Sequence, residues 1–266
     1  LGQIKQRDCL RSRGLMRVKK EPFISALALI AAWEIAAHFF PPYLFPSVTV
    51  IAKELLGILS NAGSVGGALS TFARILLGMA GAFLVGGLLG VSMGVSERMK
   101  RYIHPLLTFN QGIPALSWVV FSVIWFKSTE LRIWFIILMT TLPAFAFQIY
   151  DAYHAMSKDL VEMSLSFRPT KWDKFRTLIW PSILPGIITA WKVNLGNVAR
   201  VVVVAELVGA TVGVGYELLQ RQQMFDMAGA IAWTLVLVLF VIVSQAVVAF
   251  IEAHLLRYRP KTERSL

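Results

Sequence analysis

Cysteine is almost absent: Cys9 is the one thiol in 266 residues, so neither a disulfide within the chain nor a thiolate metal cluster can form. Acidic residues are scarce, 15 Asp and Glu against 26 Lys and Arg, and charged residues of both signs make up only 15% of the chain. A net charge of +11 would suit nucleic acid if it covered one face of a soluble fold. Here the basic residues sit at the ends of apolar segments, so the charge reports membrane orientation and nucleic acid is excluded as a partner. The four histidines, His38, His104, His154 and His254, are scattered at segment ends, which suits interfacial side chains better than metal ligands. GxGxxG, GKS/T and HExxH patterns are missing, and no nucleophile, base or metal set converges within the apolar segments. Neither a catalytic residue nor a cofactor site is expected in this chain.

What is abundant is hydrocarbon. With 56% hydrophobic residues and a mean hydropathy of +0.65, the chain is too apolar for a soluble domain and reads as an integral membrane protein. Six apolar segments lie at roughly 23–40, 68–95, 103–126, 131–150, 182–208 and 228–252, each near or above the ~20 residues a spanning helix needs. The expected fold class is therefore all-α, a polytopic bundle of about six transmembrane helices. The first segment is short and carries Glu34, and the third contains Pro105, Gly112 and Pro114, which bend it or leave part of it re-entrant. The first also lacks the small-residue cleavage site of a signal peptide and reads as a retained span. Met16 followed by RVKKEPF has the form of an ordinary start.

If the amino terminus is inside, the inner segments 1–22, 96–104, 151–181 and 253–266 hold 19 basic residues, while the outer connections hold four, Lys53, Lys127, Arg132 and Arg221. That asymmetry places both termini in the cytoplasm. The organisation is then a basic segment at 1–22, a membrane domain at 23–259 with a cytoplasmic loop at 151–181, and a tail at 260–266. Between the first two spans, FPSVTVIAKELLGILSNAG predicts an amphipathic helix capped by Ser47, packed at the outer membrane surface. Gly86, Gly90 and Gly94 recur every four residues on one face of the second span, which lets another backbone approach closely.

The loop at 151–181 has structure written into it. Ser157 can cap a short helix running through Asp159, Leu160, Glu162 and Met163, and Pro169 should end it. Thr170 and Asp173 have the spacing of a capping box for a second helix, whose Trp172, Phe175 and Ile179 form an apolar stripe opposite Lys171, Lys174 and Arg176. Pro181 and Pro185 then close the unit, and Ser182 can cap the next span. Two short helices meeting at a corner suit either a protein contact or a hairpin whose basic face meets anionic headgroups. Within the fifth span, Lys192, Gly196 and Arg200 share a helix face, with Asn194, Asn197 and Glu206 nearby. Intramembrane charges face a cavity or a partner. They predict either a cation-lined path for an anionic solute, or a fixed pairing of Arg200 with an acid such as Glu34 while Lys192 snorkels.

Glu162, the break at 168–169 and IWPSILPGI at 179–187 resemble the EAA loop of permease subunits of ABC importers. FPSVTVI at 45–51, IPALSW at 113–118, WFKSTE at 125–130 and VVVAELVGATVGVGYELL at 202–219 are similar to the nitrate, sulfonate and taurine branch of these inner-membrane permeases. The likeness runs from about residue 22 to 259. It departs where Met163 and Ser164 replace Ala-Ala and Arg168 replaces the loop glycine, with Pro169 able to supply the break. The resemblance implies a type I importer permease fold, with Glu162, Met163, Ser164, Arg168, Pro169, Thr170 and Trp172 coupling to ATPase subunits. It implies a path past Lys192, Asn194, Asn197, Arg200 and Glu206 for a sulfonate-, nitrate- or taurine-like solute. The implied partners are two ATPase subunits that bind the ATP, a second permease subunit (identical, or different given the divergent loop), an external solute-binding protein and the bilayer. A stand-alone secondary transporter of a small organic anion is the alternative, though such carriers have no need of a two-helix cytoplasmic corner.

The charge asymmetry generates a test. In a Cys9→Ser background, Lys158→Cys should resist an impermeant thiol reagent added outside intact cells and react after the cells are opened; labelling from outside would reverse the orientation.

Overall fold

The computed structural model describes residues 21–156, 162–163, 166–167 and 170–255, and every element within them is helical. In chain order these are α1 (Glu21–Phe39), α2 (Val48–Ser60), α3 (Ala62–Val95), α4 (Glu97–Gly112), α5 (Ala115–Trp125), α6 (Thr129–His154), α7 (Lys171–Lys174), a π-helical turn (Phe175–Ile179), α8 (Trp180–Leu207), α9 (Val214–Gln223) and α10 (Met227–Leu255). In a lipid solvent only helices satisfy every backbone group within one segment, so an apolar chain of this kind has little alternative.

Among the described residues four helical stretches are long and apolar enough to cross a membrane: Ala62–Val95, Thr129–His154, Phe175–Leu207 and Met227–Leu255. The third expected span is a bent one. α4 and α5 meet at 93° across the Ile113–Pro114 break, because Pro114 holds its predecessor out of helical angles. In α1 the apolar stretch Ile24–Phe39 is shorter than the others. The six expected segments thus become four full spans, one bent pair and one short helix.

α6 is the central element, with α3 packed along one side and α8 along the other. Ile75, Met79 and Ala82 of α3, Ile133, Ile137 and Phe145 of α6, and Leu195, Val198 and Val202 of α8 form the main core. The α3–α6 seam is a backbone approach. A Cβ at Gly86 would lie 2.7 Å from the Leu142 carbonyl, one at Gly90 2.5 Å from the Ala146 carbonyl, and one at Gly94 2.7 Å from the Tyr153 ring. The expected glycine face is therefore a packing face. Gly81, on the other side of α3, has nothing within 4 Å of its Cβ position.

α10 is held chiefly by its first half, where Trp233 and Val236 pack with Ile58 of α2, Ala68 of α3 and Val214 of α9, and Phe240 stacks on Phe72 at 4.0 Å. Its second half presents Ile242, Val243, Val247 and Phe250 outward. Asp226 caps this helix by accepting from the Gly229 N–H at 2.9 Å and binds Arg221 at 2.7 Å. Burial works to raise the Asp226 carboxyl, but these two donors outweigh it and hold the group below its ordinary range.

Two local expectations are corrected. Ser47 precedes α2, but its hydroxyl meets Thr49 instead of a backbone N–H; the donor at Val48 is taken by Glu34 of α1 at 2.9 Å. The longer carboxylate reaches the helix start from a neighbouring element, and its charge complements the helix dipole better than a hydroxyl. Ser182 caps nothing, because the helix does not stop at the prolines. It runs from Lys171 through the π turn into α8, with Pro181 just after the turn and Pro185 inside α8, so the ladder lacks a donor at each while the helical path continues.

The α3–α6 seam makes a paired prediction. Gly81→Ala should stabilise the purified protein by up to ~1 kcal/mol through helix propensity, whereas Gly90→Ala should destabilise it by ~1–3 kcal/mol by forcing α3 from α6. Thermal unfolding in detergent reads both.

Candidate functional site

α8 carries a polar face toward α10. Lys192, Gly196 and Arg200, one turn apart, line an open groove of about 740 Å³ whose other wall is Ile242, Gln245 and Ala249 of α10. Lys192 donates from Nζ to Glu252 Oε2, both side chains about one-third exposed. The Arg200 side chain points outward, and its Nε donates to the Gly196 carbonyl at 3.2 Å. It has no carboxylate partner among the described residues, and Glu34, an acid considered for it, is engaged at the start of α2. The groove therefore combines a neutralised pair at Lys192 with an available guanidinium two turns away, ~12 Å along the axis.

The other polar residues of this helix go elsewhere. Successive residues rotate by ~100°, so Asn194 and Asn197 leave the Lys192 face. Asn194 is buried, donating to Gln148 Oε1 of α6 at 3.0 Å and to the Ala190 carbonyl at 2.9 Å. Asn197 is half-buried and does not line the groove.

Glu206, a candidate for a gate on the path or for an anchor of the following loop, lies in a separate buried network that holds that loop. Its carboxylate accepts from Thr71 Oγ1 at 2.8 Å, Arg74 Nη1 at 2.8 Å and the Gly215 N–H at 2.8 Å. Thr71 Oγ1 accepts in turn from the Val214 N–H at 2.8 Å, Arg74 Nη1 also donates to the Val212 carbonyl at 2.8 Å, and the rest of the guanidinium grips Glu130 of α6. Four elements, α3, α6, α8 and α9, are joined around one carboxylate. Gly213 is required here twice over: its φ is 138°, and a Cβ would fall 2.6 Å from the carboxyl group. The role of Arg74 was not read from the sequence. The signal was present, since Arg74 is the one charged residue of α3 and Glu206 the one acid of α8, and opposite charges inside spans pair.

At the other end of α8 stands the expected coupling segment. Glu162 and Met163 are exposed in a short helical turn, with the Ser166 hydroxyl donating to the Glu162 carbonyl at 3.3 Å. The capping box forms as spaced: the Thr170 N–H donates to Asp173 Oδ2 at 3.3 Å and the Asp173 N–H to Thr170 Oγ1 at 3.2 Å. Trp172 is exposed and stacks on Phe175, while Ile179 is buried. Phe167 is also exposed, so three large apolar side chains, Met163, Phe167 and Trp172, project from a segment outside the spans. Ser157, Asp159, Leu160, Ser164, Arg168 and Pro169 lie outside the described residues, as do residues 1–20 and 256–266.

The geometry is that of a multi-pass helical membrane bundle with a polar groove along one span and, at its base, a loop whose described residues form short helical turns. The chain belongs to the family described as binding-protein-dependent transport system inner membrane component, whose model matches residues 82–257. It is 30% identical to the formylaminopyrimidine transport permease protein ThiX of Halalkalibacterium halodurans, over 91% of this chain and 96% of that protein. It is 25% identical to the taurine transport system permease protein TauC of Escherichia coli, over 72% of each chain. It is also 25% identical to the putative aliphatic sulfonates transport permease protein SsuC of Bacillus subtilis, over 88% of this chain and 86% of that one. Inward-facing structures of the MetNI methionine ABC transporter share the fold, with TM-scores of 0.57 and 0.60 at 20% and 21% identity, covering 73% of this chain and 94% of theirs. The protein is an ABC importer permease of multi-pass, type I fold.

The buried network predicts a graded result. Arg74→Met leaves Glu206 uncompensated and should cost ~3–5 kcal/mol, whereas Glu130→Gln, at the exposed end, should cost under ~1 kcal/mol. Thermal unfolding of the purified variants checks the ranking.

Proposed function

We propose that this chain is the pore subunit of an ATP-driven importer in which a small anionic solute passes along the α8–α10 groove. The observation that carries this reading is Arg200, a guanidinium without a carboxylate partner among the described residues, facing the groove. A cation held in a span is costly unless it meets a partner or water, and a passing anion supplies the partner. Relatives named for taurine and aliphatic sulfonates support a sulfonate group, one end of a zwitterion in taurine, as the part that meets Arg200. Solute arrives from an external binding protein, ATP is bound and hydrolysed by two partner subunits, and a second permease subunit completes the pore. Both termini and the 151–181 loop face the cytoplasm of a bacterial inner membrane. Glu162, Met163, Ser164, Arg168, Pro169, Thr170 and Trp172 form the contact with the ATPase. The exposed Met163, Phe167 and Trp172 form an apolar set outside the spans, which suits a protein groove. Membership of a binding-protein-dependent family sets aside the stand-alone carrier.

A second reading concerns the solute. The relative named for formylaminopyrimidine, together with the neutralisation of Lys192 by Glu252, favours an uncharged heteroaromatic that hydrogen-bonds to Arg200 and Gln245.

Two substitutions in the reconstituted transporter separate transport from coupling. Arg200→Gln should leave basal ATP hydrolysis intact, lower taurine or alkyl sulfonate uptake at least tenfold under the first reading, and spare formylaminopyrimidine uptake under the second. Glu162→Lys should abolish solute-stimulated ATP hydrolysis while the protein stays inserted. Normal uptake by Glu162→Lys with the ATPase bound would remove the loop from the coupling role.

A further inference from the structure

Lys192 is the more deeply placed cation of the groove, yet it does not face the groove as a free charge. Its ammonium is bound to Glu252, which reaches across from α10 one turn beyond Ala249 on the groove wall. Residues three apart on a helix are neighbours on its surface, so the carboxylate stands beside the lining at the point where α8 and α10 are joined. Both partners are about one-third exposed, so the pair stands partly out of water. The charge along the groove is thus stepped, near zero at the Lys192–Glu252 pair and positive at Arg200.

We propose that Glu252 is a specificity-determining residue of the permease, occupying Lys192 so that the groove offers an anion one cation and not two. This rests on the reading of the groove as the solute path. A dianion needs two cations to offset its desolvation and would find only Arg200, the second cation ~12 Å along the helix axis being already neutralised by Glu252. A monoanion or a neutral hydrogen-bonding solute meets no such penalty. Removing the Glu252 charge releases Lys192 and turns the groove into a two-cation site.

The groove's own field supplies the test. In the complete transporter, with Cys9→Ser and Ala249→Cys, the modification rates of an anionic sulfonatoethyl and a cationic trimethylammonium-ethyl methanethiosulfonate are compared, with and without Glu252→Gln. The anionic-to-cationic rate ratio should rise at least tenfold on Glu252→Gln, because one charge a few ångströms away in an aqueous setting changes each reagent's rate about fivefold and in opposite directions. Lys192→Gln should lower the ratio, and the double substitution should return it near the starting value. 1,2-Ethanedisulfonate should slow the anionic reagent in the Glu252→Gln protein at a concentration at least fivefold lower than in the parent, while ethanesulfonate should change less. An unchanged ratio at a reactive Ala249→Cys would overturn the role of Glu252 and leave the path reading standing. If neither reagent reacts in any variant, the groove is sealed in the assembled transporter, and the path reading falls with the proposal.

Discussion

A carboxylate with no exposed surface, Glu206, sets the arrangement of one whole end of the bundle. An ionised group in a low-dielectric interior has to collect donors, and here they come from Thr71 and Arg74 of α3 and from the backbone of Gly215 at the start of α9. Each donor fixes an element. Arg74 carries the constraint on to α6 through Glu130, and Thr71 returns it to the chain by accepting from Val214. The connection after α8 is consequently held by a charge and not by apolar packing alone, and glycine is needed at 213 and 215 because the carboxylate and the Val203 carbonyl fill the space a side chain would take.

With that end fixed, the rest of α8 is free to divide its polar residues by helical rotation. Asn194 turns inward and ties α8 to α6, while the Lys192–Arg200 face turns toward α10 and builds the groove. The two kinds of charge therefore do different work within one helix. Glu206 organises structure because every donor around it is satisfied; Arg200 donates to a carbonyl of its own helix and has no carboxylate partner among the described residues. At the far end, the π turn carries the helix past Pro181 without a stop, so the segment with Trp172 and the capping box is a continuation of the groove helix. Pro181 and Pro185 remove two backbone donors from this stretch without ending the helical path.

Much of the fold was legible in periodicity and local spacing. The glycine face of α3, the break at Pro114 and the Thr170–Asp173 box all depend on residues within a turn or two of each other, so chain order alone specifies them. Of the candidate site, the shared face of Lys192, Gly196 and Arg200 was legible for the same reason. Asn194 and Asn197 stand near that face in the chain, and the helical rotation turns them from it; Glu206, legible as a gate or loop anchor, holds the connection after α8.

Identity of partners is the part that chain order could not contain. Arg74 and Glu206 are 132 residues apart, Lys192 and Glu252 60 apart, and each has other oppositely charged groups available in the sequence. Glu34 illustrates the point, since it was a candidate for Arg200 and is instead the cap of α2. By itself the sequence determined that the chain crosses a membrane, where it bends, which helix faces are polar and which short motifs mark its family, because hydropathy and spacing are local properties. Only the tertiary structure decided which charge meets which. That choice depends on how the helices pack, and inside a membrane-spanning bundle a charge is matched by whichever donor or acceptor the packing brings within about 3 Å.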